Sequence, residues 1–446
     1  MKSAKQHLIG SGTYGKVFLL DKNKIRKDMD ILDESSEFLS TTINECAFIS
    51  TFSNVPFIAH KVSVTIQNKQ LFLVQTNAGI DLHKYIKISS YRRRLSLLPR
   101  LICQLSRILI WMKKVRVAHM DIKPQNLCIK DGHMITLVDW GFVTPVHQYS
   151  NVSCGTYSFA DPTYICSEKK ATYAYDMFSV GMVLVYYLSR EFIDREKWVK
   201  LGESPSQEAV LDLMKIFRHK NSIIKCCPNG GRIFDIILRM LEINEHLRIK
   251  PLELYTQSIF SDLWADYPIS EMGEIIEFPV IDQIINIQDD INHKMMVILI
   301  DWLIDVNTHF HLKSSLGHTI KLVYRFLGKK LITRKELQLV SICCLYLSTM
   351  IQQSDMISLS DLIYISDNAY TECECIVMIQ IILQTLNWEI FPIKGCAETY
   401  LRHKLQKKQW KKLYLERNVM TEFAFLPEDI KIGVLHQNGL DLYKIE

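Results

Sequence analysis

The sequence predicts an α+β portion followed by an all-α portion, and three observations lead there. Up to about residue 80, short alternating runs such as Val17 to Leu20 and Leu71 to Val74 read as strands around one helical segment, Thr41 to Ser50. From about 95 to 265 the apolar residues recur at helical spacing, interrupted by turn-rich stretches at 118 to 165 and 202 to 206. After an acidic interval, amphipathic helices run to about residue 402. That interval, Asp266 to Asn292, carries seven acidic residues, no lysine or arginine, and Pro268, Gly273 and Pro279 as breakers, so it reads as a linker ending in a short helix. The expected boundaries are 1–265, 266–290, 291–402, and a basic extension, 403–446, that continues from Arg402 through Lys404, Lys407, Lys408, Lys411 and Lys412.

Composition narrows the classes. A chain of 446 residues, 48% apolar and 23% charged, is ordinary globular protein with room for two or three domains. The net charge of +5 is spread over scattered basic residues and indicates no nucleic-acid partner. Cys226-Cys227, Cys343-Cys344 and Cys373 with Cys375 fit neither a zinc site nor a secreted disulfide scaffold, so the twelve cysteines read as reduced, mostly buried thiols. The N-terminus lacks an apolar signal core, and hydrophobic runs such as Val180 to Leu188 are too short to span a bilayer. The expectation is an intracellular protein, cytoplasmic or nuclear, with no membrane partner.

The first segment opens with Gly10-Ser11-Gly12-Thr13-Tyr14-Gly15-Lys16-Val17, three glycines in a turn between two β runs, where missing side chains let backbone N–H groups approach a phosphate. Such turns are common. Weight comes from the ordered set downstream of it: a strand-borne lysine, a helix-borne glutamate, and two short loops dense in catalytic residue types. The loops are His119-Met120-Asp121-Ile122-Lys123-Pro124-Gln125-Asn126 and, thirteen residues after Asn126, Asp139-Trp140-Gly141. Phosphoryl transfer to a hydroxyl needs a carboxylate near the hydroxyl, oxygen ligands for Mg²⁺ and neutralisation of the phosphoryl charge.

These two loops resemble the catalytic loop and metal-binding turn of protein kinases. The resemblance implies a bilobal α+β protein kinase fold over about residues 7 to 262, with ATP and Mg²⁺ as cofactors and proteins as substrates. It assigns Asp121 to the substrate hydroxyl, Lys123 to the transferred phosphoryl group, and Asn126 and Asp139 to the metal. Gly10, Gly12, Gly15 and Val17 would cover the nucleotide, with Gln75 in the gatekeeper position and Asp81 at a ribose contact. Lys24, Arg26 and Lys27 lie close together; by likeness to the Val-Ala-Ile-Lys strand Lys27 is chosen, with Ile25 facing the adenine. Ser40-Thr41-Thr42-Ile43-Asn44-Glu45 resembles the Ser-Thr-Ala-Ile-Arg-Glu helix of cyclin-dependent kinases and makes Glu45 the partner of that lysine. Asp176 to Gly181 resembles the buried helix that anchors the catalytic loop, and Thr156 matches the threonine that bridges the catalytic aspartate and lysine in serine/threonine kinases.

Departures from the pattern are informative. Three arginines that gather an activation-loop phosphate in cyclin-dependent kinases are replaced by Asn44, Met120 and Thr144, so loop phosphorylation is not expected to be required, although Ser150 and Ser153 lie near the corresponding Asn151. Trp140 replaces a phenylalanine, as in casein kinase II-type enzymes, and a larger ring there should hold the Asp139 turn inward. Asp161-Pro162-Thr163 lacks the usual glutamate partner of Arg248, which should find Asp161 or another acceptor, because an unpaired buried charge is costly. Proline-directed specificity is not implied.

In the last portion, Met295 to Leu303, Tyr324 to Leu327, Lys335 to Val340 and Tyr364 to Thr371 resemble the cyclin box, closest to mitotic cyclins. The resemblance implies one all-α five-helix cyclin fold, since too few residues remain after position 401 for a second. The buried ion pair of cyclins becomes Met296 and Tyr324, and the lysine and glutamate that grip the kinase become Thr349 and Ile379. Tethering explains how that grip was dispensable: a linker of about 27 residues reaches up to roughly 90 Å and gives a near-millimolar effective concentration. An intramolecular kinase–cyclin contact is therefore expected. Met295, Ile298, Leu299, Trp302 and Asp305 fall at helical spacing on one face and, with Leu337 and Gln338, match the groove through which cyclins dock Arg-x-Leu motifs of substrates. The same apolar residues also suit a plain helical core. A fusion of this kind suggests a compact genome such as that of a large DNA virus. The leading expectation is an active serine/threonine kinase helped by its own cyclin-like domain; the alternative is a degraded kinase scaffold whose cyclin-like half engages another kinase.

Overall fold

The computed structural model describes residues 7–12, 15–30, 36–67, 70–146, 148, 156–165, 170–268, 287–312, 315–352 and 357–392. The chain divides into two compact units, Met1–Gly273 and Glu274–Glu446.

The first unit starts with an antiparallel five-stranded sheet in the order β1-β2-β3-β5-β4: β1 His7–Gly12, β2 Gly15–Asp21, β3 Lys24–Asp30, β4 Lys61–Gln67 and β5 Gln70–Thr76. Gly12 faces Gly15 across the first hairpin. Gly15 has φ +142°, and a Cβ there would lie 2.2 Å from the Asp28 carbonyl oxygen, so no other residue fits. Alternation along β3 sends Arg26 and Lys27 to opposite faces. Arg26 pairs with Asp28 at 2.5 Å and lies over the Phe18 and Phe72 rings, whereas Lys27 sits opposite Val17 and Leu73. Helix α1, Ser36–Thr51, comes after the third strand.

The rest of the unit is mainly helical. After β6 (Ile80–Asp81) come α2 (Leu82–Ile88) and α3 (Tyr91–Val115), the second opened by a Ser90 side chain that accepts from the Arg93 N–H. Short strands β7 (Val117–Ala118), β8 (Leu127–Lys130), β9 (Met134–Leu137) and β10 (Thr144–Pro145) frame two loops. Below them lies α4, Tyr173–Ser189, buried along almost its whole length; a Cβ on its Gly181 would come within 2.8 Å of Leu241, so glycine permits the close packing. By length and composition α3 would be long enough to cross a bilayer, contrary to the expectation that the apolar runs are too short. Its apolar window is 72% buried, and it packs against α4, which makes it a core helix.

Among the described residues the second unit has five helices: α5 His293–His309, α6 Ser315–Leu327, α7 Leu337–Gln352, α8 Leu359–Ile365 and α9 Glu372–Thr385. Helix α7 is central and packs on the other four. Asn292 caps α5, and a reciprocal Thr371–Glu374 capping box starts α9. The buried His318 ring bonds Ser348 Oγ at 3.0 Å through Nδ1 and the Ile390 carbonyl at 2.7 Å through Nε2, and burial pushes its pKa down to about 3. Met296 and Tyr324, where cyclins place an ion pair, are both buried.

Both ends of the acidic interval are held by hydrogen bonds. Tyr267 is buried, its carbonyl accepting from Tyr255 Oη, so residues 266–268 belong to the first unit. At the other end Gln288 donates to the Leu327 and Lys330 carbonyls, and Asp290 pairs with Arg334. Net charge reports neither this burial nor these amide bonds at the two ends of the interval. Its middle, and the basic extension, lie outside the described residues.

Candidate active site

Strand β3 and helix α1 bring Lys27 Nζ to 2.6 Å from Glu45 Oε2, and the same ammonium lies 3.1 Å from Asp139 Oδ1. Burial alone would lower the Lys27 pKa, but the carboxylates of Asp139 and Glu45 outweigh it and hold the group well above its ordinary value. Burial pushes Glu45 up. Burial would raise Asp139 too, yet the Lys27 ammonium, aided by Lys123 and His119, keeps it below the usual carboxylate range. The backbone of Asp139 is left-handed (φ 64°, ψ 65°). That turn separates the carboxylate, directed at Lys27, from the Trp140 ring.

The second cluster forms around Asp121. Its Oδ2 accepts from Lys123 Nζ at 2.6 Å and Asn126 Nδ2 at 3.1 Å, and its Oδ1 accepts from the Thr156 N–H at 2.9 Å and Thr156 Oγ1 at 3.1 Å. Lys123 also donates to Thr156 Oγ1 at 3.0 Å, so the threonine bridges the two. The loop is anchored from below: Asp176 of α4 accepts from the His119 and Met120 N–H groups at 2.7 and 3.0 Å. His119 joins the two clusters. Its Nδ1 accepts from the Asp121 N–H, which leaves Nε2 to donate to the Val138 carbonyl next to Asp139. Burial pushes its pKa down to about 4, so the ring is neutral at physiological pH.

Helix α1 is fastened to the Asp139 turn by packing and amide bonds. Trp140 stacks on Phe48 with centroids 4.3 Å apart, meets His119 edge-on, and donates through Nε1 to the Leu137 carbonyl. Asn44 Nδ2 donates to the carbonyls of Gly141 and Val143, both at 2.9 Å. All three positions that carry phosphate-binding arginines in cyclin-dependent kinases are buried: Asn44 at 0% exposure, Met120 at 2% and Thr144 at 1%. Met120 lies in an apolar cluster with Phe142, Val146, Tyr164 and Tyr175, where a phosphate dianion would be desolvated without a cation. Ser150, Asn151 and Ser153 are outside the described residues. Asp161 does take the place of the missing glutamate: Arg248 Nη2 is 2.8 Å from its Oδ2, both side chains are buried, and the guanidinium also donates to the carbonyls of Glu242 and Ala174.

The remaining positions expected to face a nucleotide are dispersed around these clusters. Gly10, Gly12, Gly15 and Val17 lie on the first hairpin, and Gln75, buried, lies near the end of β5 opposite Ile25. Asp81 caps α2, accepting from the Lys84 N–H and pairing with its ammonium. The donor set fits ATP with Mg²⁺: Asn126 spends its Nδ2 on Asp121, and its amide oxygen accepts no bond among the described residues, which leaves a hard oxygen that, with the Asp139 carboxylate, suits the metal. Phe48, His119 and the amide bonds of Asn44 have no assigned role in the sequence-based expectation. His119 heads the catalytic-loop motif and was within reach; an apolar residue on a helix, like Phe48, carries no signal of its own.

In the second unit the seven positions of the docking face are not equivalent. Leu299 and Leu337 are buried, Met295, Trp302 and Gln338 half-buried, and Ile298 and Asp305 exposed, with Ile298 at 68%. Gln338 Oε1 accepts from Tyr370 Oη at 3.4 Å, which leaves its Nε2 for another acceptor.

A lysine held between a glutamate and an aspartate, beside an aspartate–lysine–threonine loop, is the constellation of a phosphotransferase. The protein kinase domain model matches residues 3–260, more than half of the chain, and the chain belongs to the protein kinase family. A cyclin N-terminal domain model matches residues 270–391. Similar proteins include Cyclin-B1-1 of Arabidopsis thaliana, 41% identical over 102 residues (23% of this chain, 24% of that protein). Cyclin-A2-1 of the same plant is 24% identical over 247 residues (52% and 54%), and the G2/mitotic-specific cyclin S13-7 of Glycine max is 38% identical over 107 residues (24% and 42%). The chain therefore spans between about a quarter and about a half of the length of these relatives.

Proposed function

We propose that this kinase domain is catalytically active and transfers the γ-phosphoryl group of ATP to serine or threonine hydroxyls of proteins, with the cyclin domain acting in the same chain on activation, substrate docking or both. The observation that carries the reading is the shared ammonium of Lys27 between Glu45 and Asp139, beside an Asp121 carboxylate already ordered by Lys123, Asn126 and Thr156. ATP would supply the transferable group, and Asn126 and Asp139 would hold Mg²⁺, whose charge would offset that of the phosphates. Lys27 orients the nucleotide phosphates, with Glu45 fixing its position. Asp121 orients the acceptor hydroxyl and takes up its proton, while Lys123 is placed to follow charge onto the moving phosphoryl group. Thr156, linked to both, supports serine/threonine rather than tyrosine acceptors. Domain limits of 1–265 and 291–402 remain the working division.

The docking face enters the same proposal: Asp305 would meet the arginine of an Arg-x-Leu segment, and Met295, Leu299 and Trp302 its leucine. The deciding experiment is transfer of labelled γ-phosphate from Mg-ATP to a protein substrate, with phosphoamino-acid analysis of the product. Phosphoserine or phosphothreonine is expected, with a loss of several orders of magnitude in Asp121→Asn at unchanged melting temperature. ATP binding without any transfer would favour the scaffold alternative.

A further inference from the structure

A second concavity on the first unit shares no residue with the site above. It opens between the β6–α2 corner, the start of α3 and the β8–β9 turn, and measures about 570 Å³. Its apolar part is exposed to an extent that folding does not require: Ile80 is 42% and Ile88 77% accessible, beside the buried Ile129. The wall is tight, because Gly79 (φ +96°) lies so close to Ile129 that a Cβ would be 2.3 Å from its carbonyl oxygen.

The polar part is dominated by cations. Arg93 and Lys130 line the cavity, both exposed, and neither has a carboxylate partner among the described residues. The Arg93 guanidinium is laid across the turn, 3.3 Å from where a Cβ of Gly132 would sit. Lys87 and Arg92, exposed and adjacent in sequence to lining residues, add to the positive field, and Asp131 is the one acid of the lining. Tyr85 lines the cavity, and its hydroxyl is buried with no hydrogen-bond partner among the described residues.

We propose that this cavity docks an acidic, aliphatic peptide segment of a partner protein, its carboxylates on Arg93 and Lys130 and its apolar side chain between Ile80 and Ile88. Unpaired cations beside exposed isoleucines select this chemistry. A nucleic-acid strand would use the cations and leave the isoleucines idle; a wholly apolar segment would do the reverse. The proposal stands independently of catalysis.

The test is fluorescence anisotropy with the full-length chain and a labelled Glu-Ile-Leu-Asp-Phe-Glu-Ile-Asp peptide, alongside a counterpart carrying lysine at every acidic position. Saturable binding of the acidic probe alone is expected, weakened at least about tenfold both by the double change Arg93→Glu, Lys130→Glu and by Ile88→Asp. All three positions are exposed, and unchanged melting of the variants verifies that they fold. Absence of saturable binding, equal binding of the lysine peptide, or binding that Ile88→Asp leaves intact would each overturn the proposal, the last pointing to plain charge attraction that an oligonucleotide would share. Self-association of the chain that Ile88→Asp abolishes, with no probe bound, would overturn it in favour of a second copy as the occupant.

Discussion

In the kinase unit, polar side chains hold one another across long stretches of chain: Lys27 reaches Asp139 over 112 residues, and Asp176 reaches back to His119 at the start of the Asp121 loop. In the cyclin unit the buried polar groups do something else. His318 and Gln288 close off main-chain carbonyls between helices, and the face proposed for docking is part core and part surface. Phosphoryl transfer needs particular functional groups, so it marks a sequence by residue type. Helix-face recognition needs mainly shape and apolar area, which core packing needs as well.

The sharpest break would come at the shared ammonium. Lys27→Met should reduce phosphoryl transfer by about a hundredfold or more, because a buried charge at the phosphate site is lost, whereas Lys24→Met should be nearly silent. The reverse result would mean that the strand is shifted by one pleat or more, and steady-state kinetics with folded variants decides it. On the cyclin side a smaller, selective effect is expected. Trp302→Ala should weaken phosphorylation of proteins bearing Arg-x-Leu by roughly thirtyfold, the worth of a desolvated aromatic anchor of about 2 kcal/mol, and leave a short peptide without the motif unaffected. Equal loss on both substrates would assign Trp302 to the core.

A gentler contrast lies in pH. His119 and His318 titrate near 4 and 3 when folded, against about 6.5 in an unfolded chain. Below about 6.5 the unfolded state therefore binds protons that the native state refuses, and stability, complete above that pH, falls by up to about 1.4 kcal/mol per pH unit for each histidine until its folded value is reached. Urea unfolding measured from neutral to mildly acidic pH gives the slope, and His318→Gln should flatten it for the cyclin unit alone. A slope unchanged by that substitution would remove the histidine from the account.

Legibility in the sequence divides along the same line. Asp121, Lys123, Asn126, Thr156 and Asp139 could be named because their spacing and chemistry occur together, and the structure gathers four of them into one hydrogen-bonded cluster. The choice among Lys24, Arg26 and Lys27 was harder, since neighbouring cations on a strand differ only in which face they occupy; the Arg26–Asp28 pair turns Arg26 away. Asn44, Met120 and Thr144 read, in the sequence, as losses. What they gained, two amide bonds to the Asp139 turn and a place in an apolar cluster, depends on contacts such as those between segments about 100 residues apart and leaves no local pattern. The same holds at the ends of the acidic interval, where Tyr267 and Gln288 are anchored by hydrogen bonds that acidity does not foretell.

The central claim is that the kinase unit holds its site together by buried packing: the Phe48–Trp140 stack fastens the Asp139 turn to α1, and Asn44, Met120 and Thr144 stand buried where three phosphate-binding arginines would otherwise be. It is tested most directly by assaying Mg-ATP-dependent phosphoryl transfer of the full-length chain before and after exhaustive phosphatase treatment, with absence of phosphate verified by mass spectrometry. The prediction is activity unchanged within about twofold. A drop of about tenfold or more, restored by an upstream kinase, would contradict it.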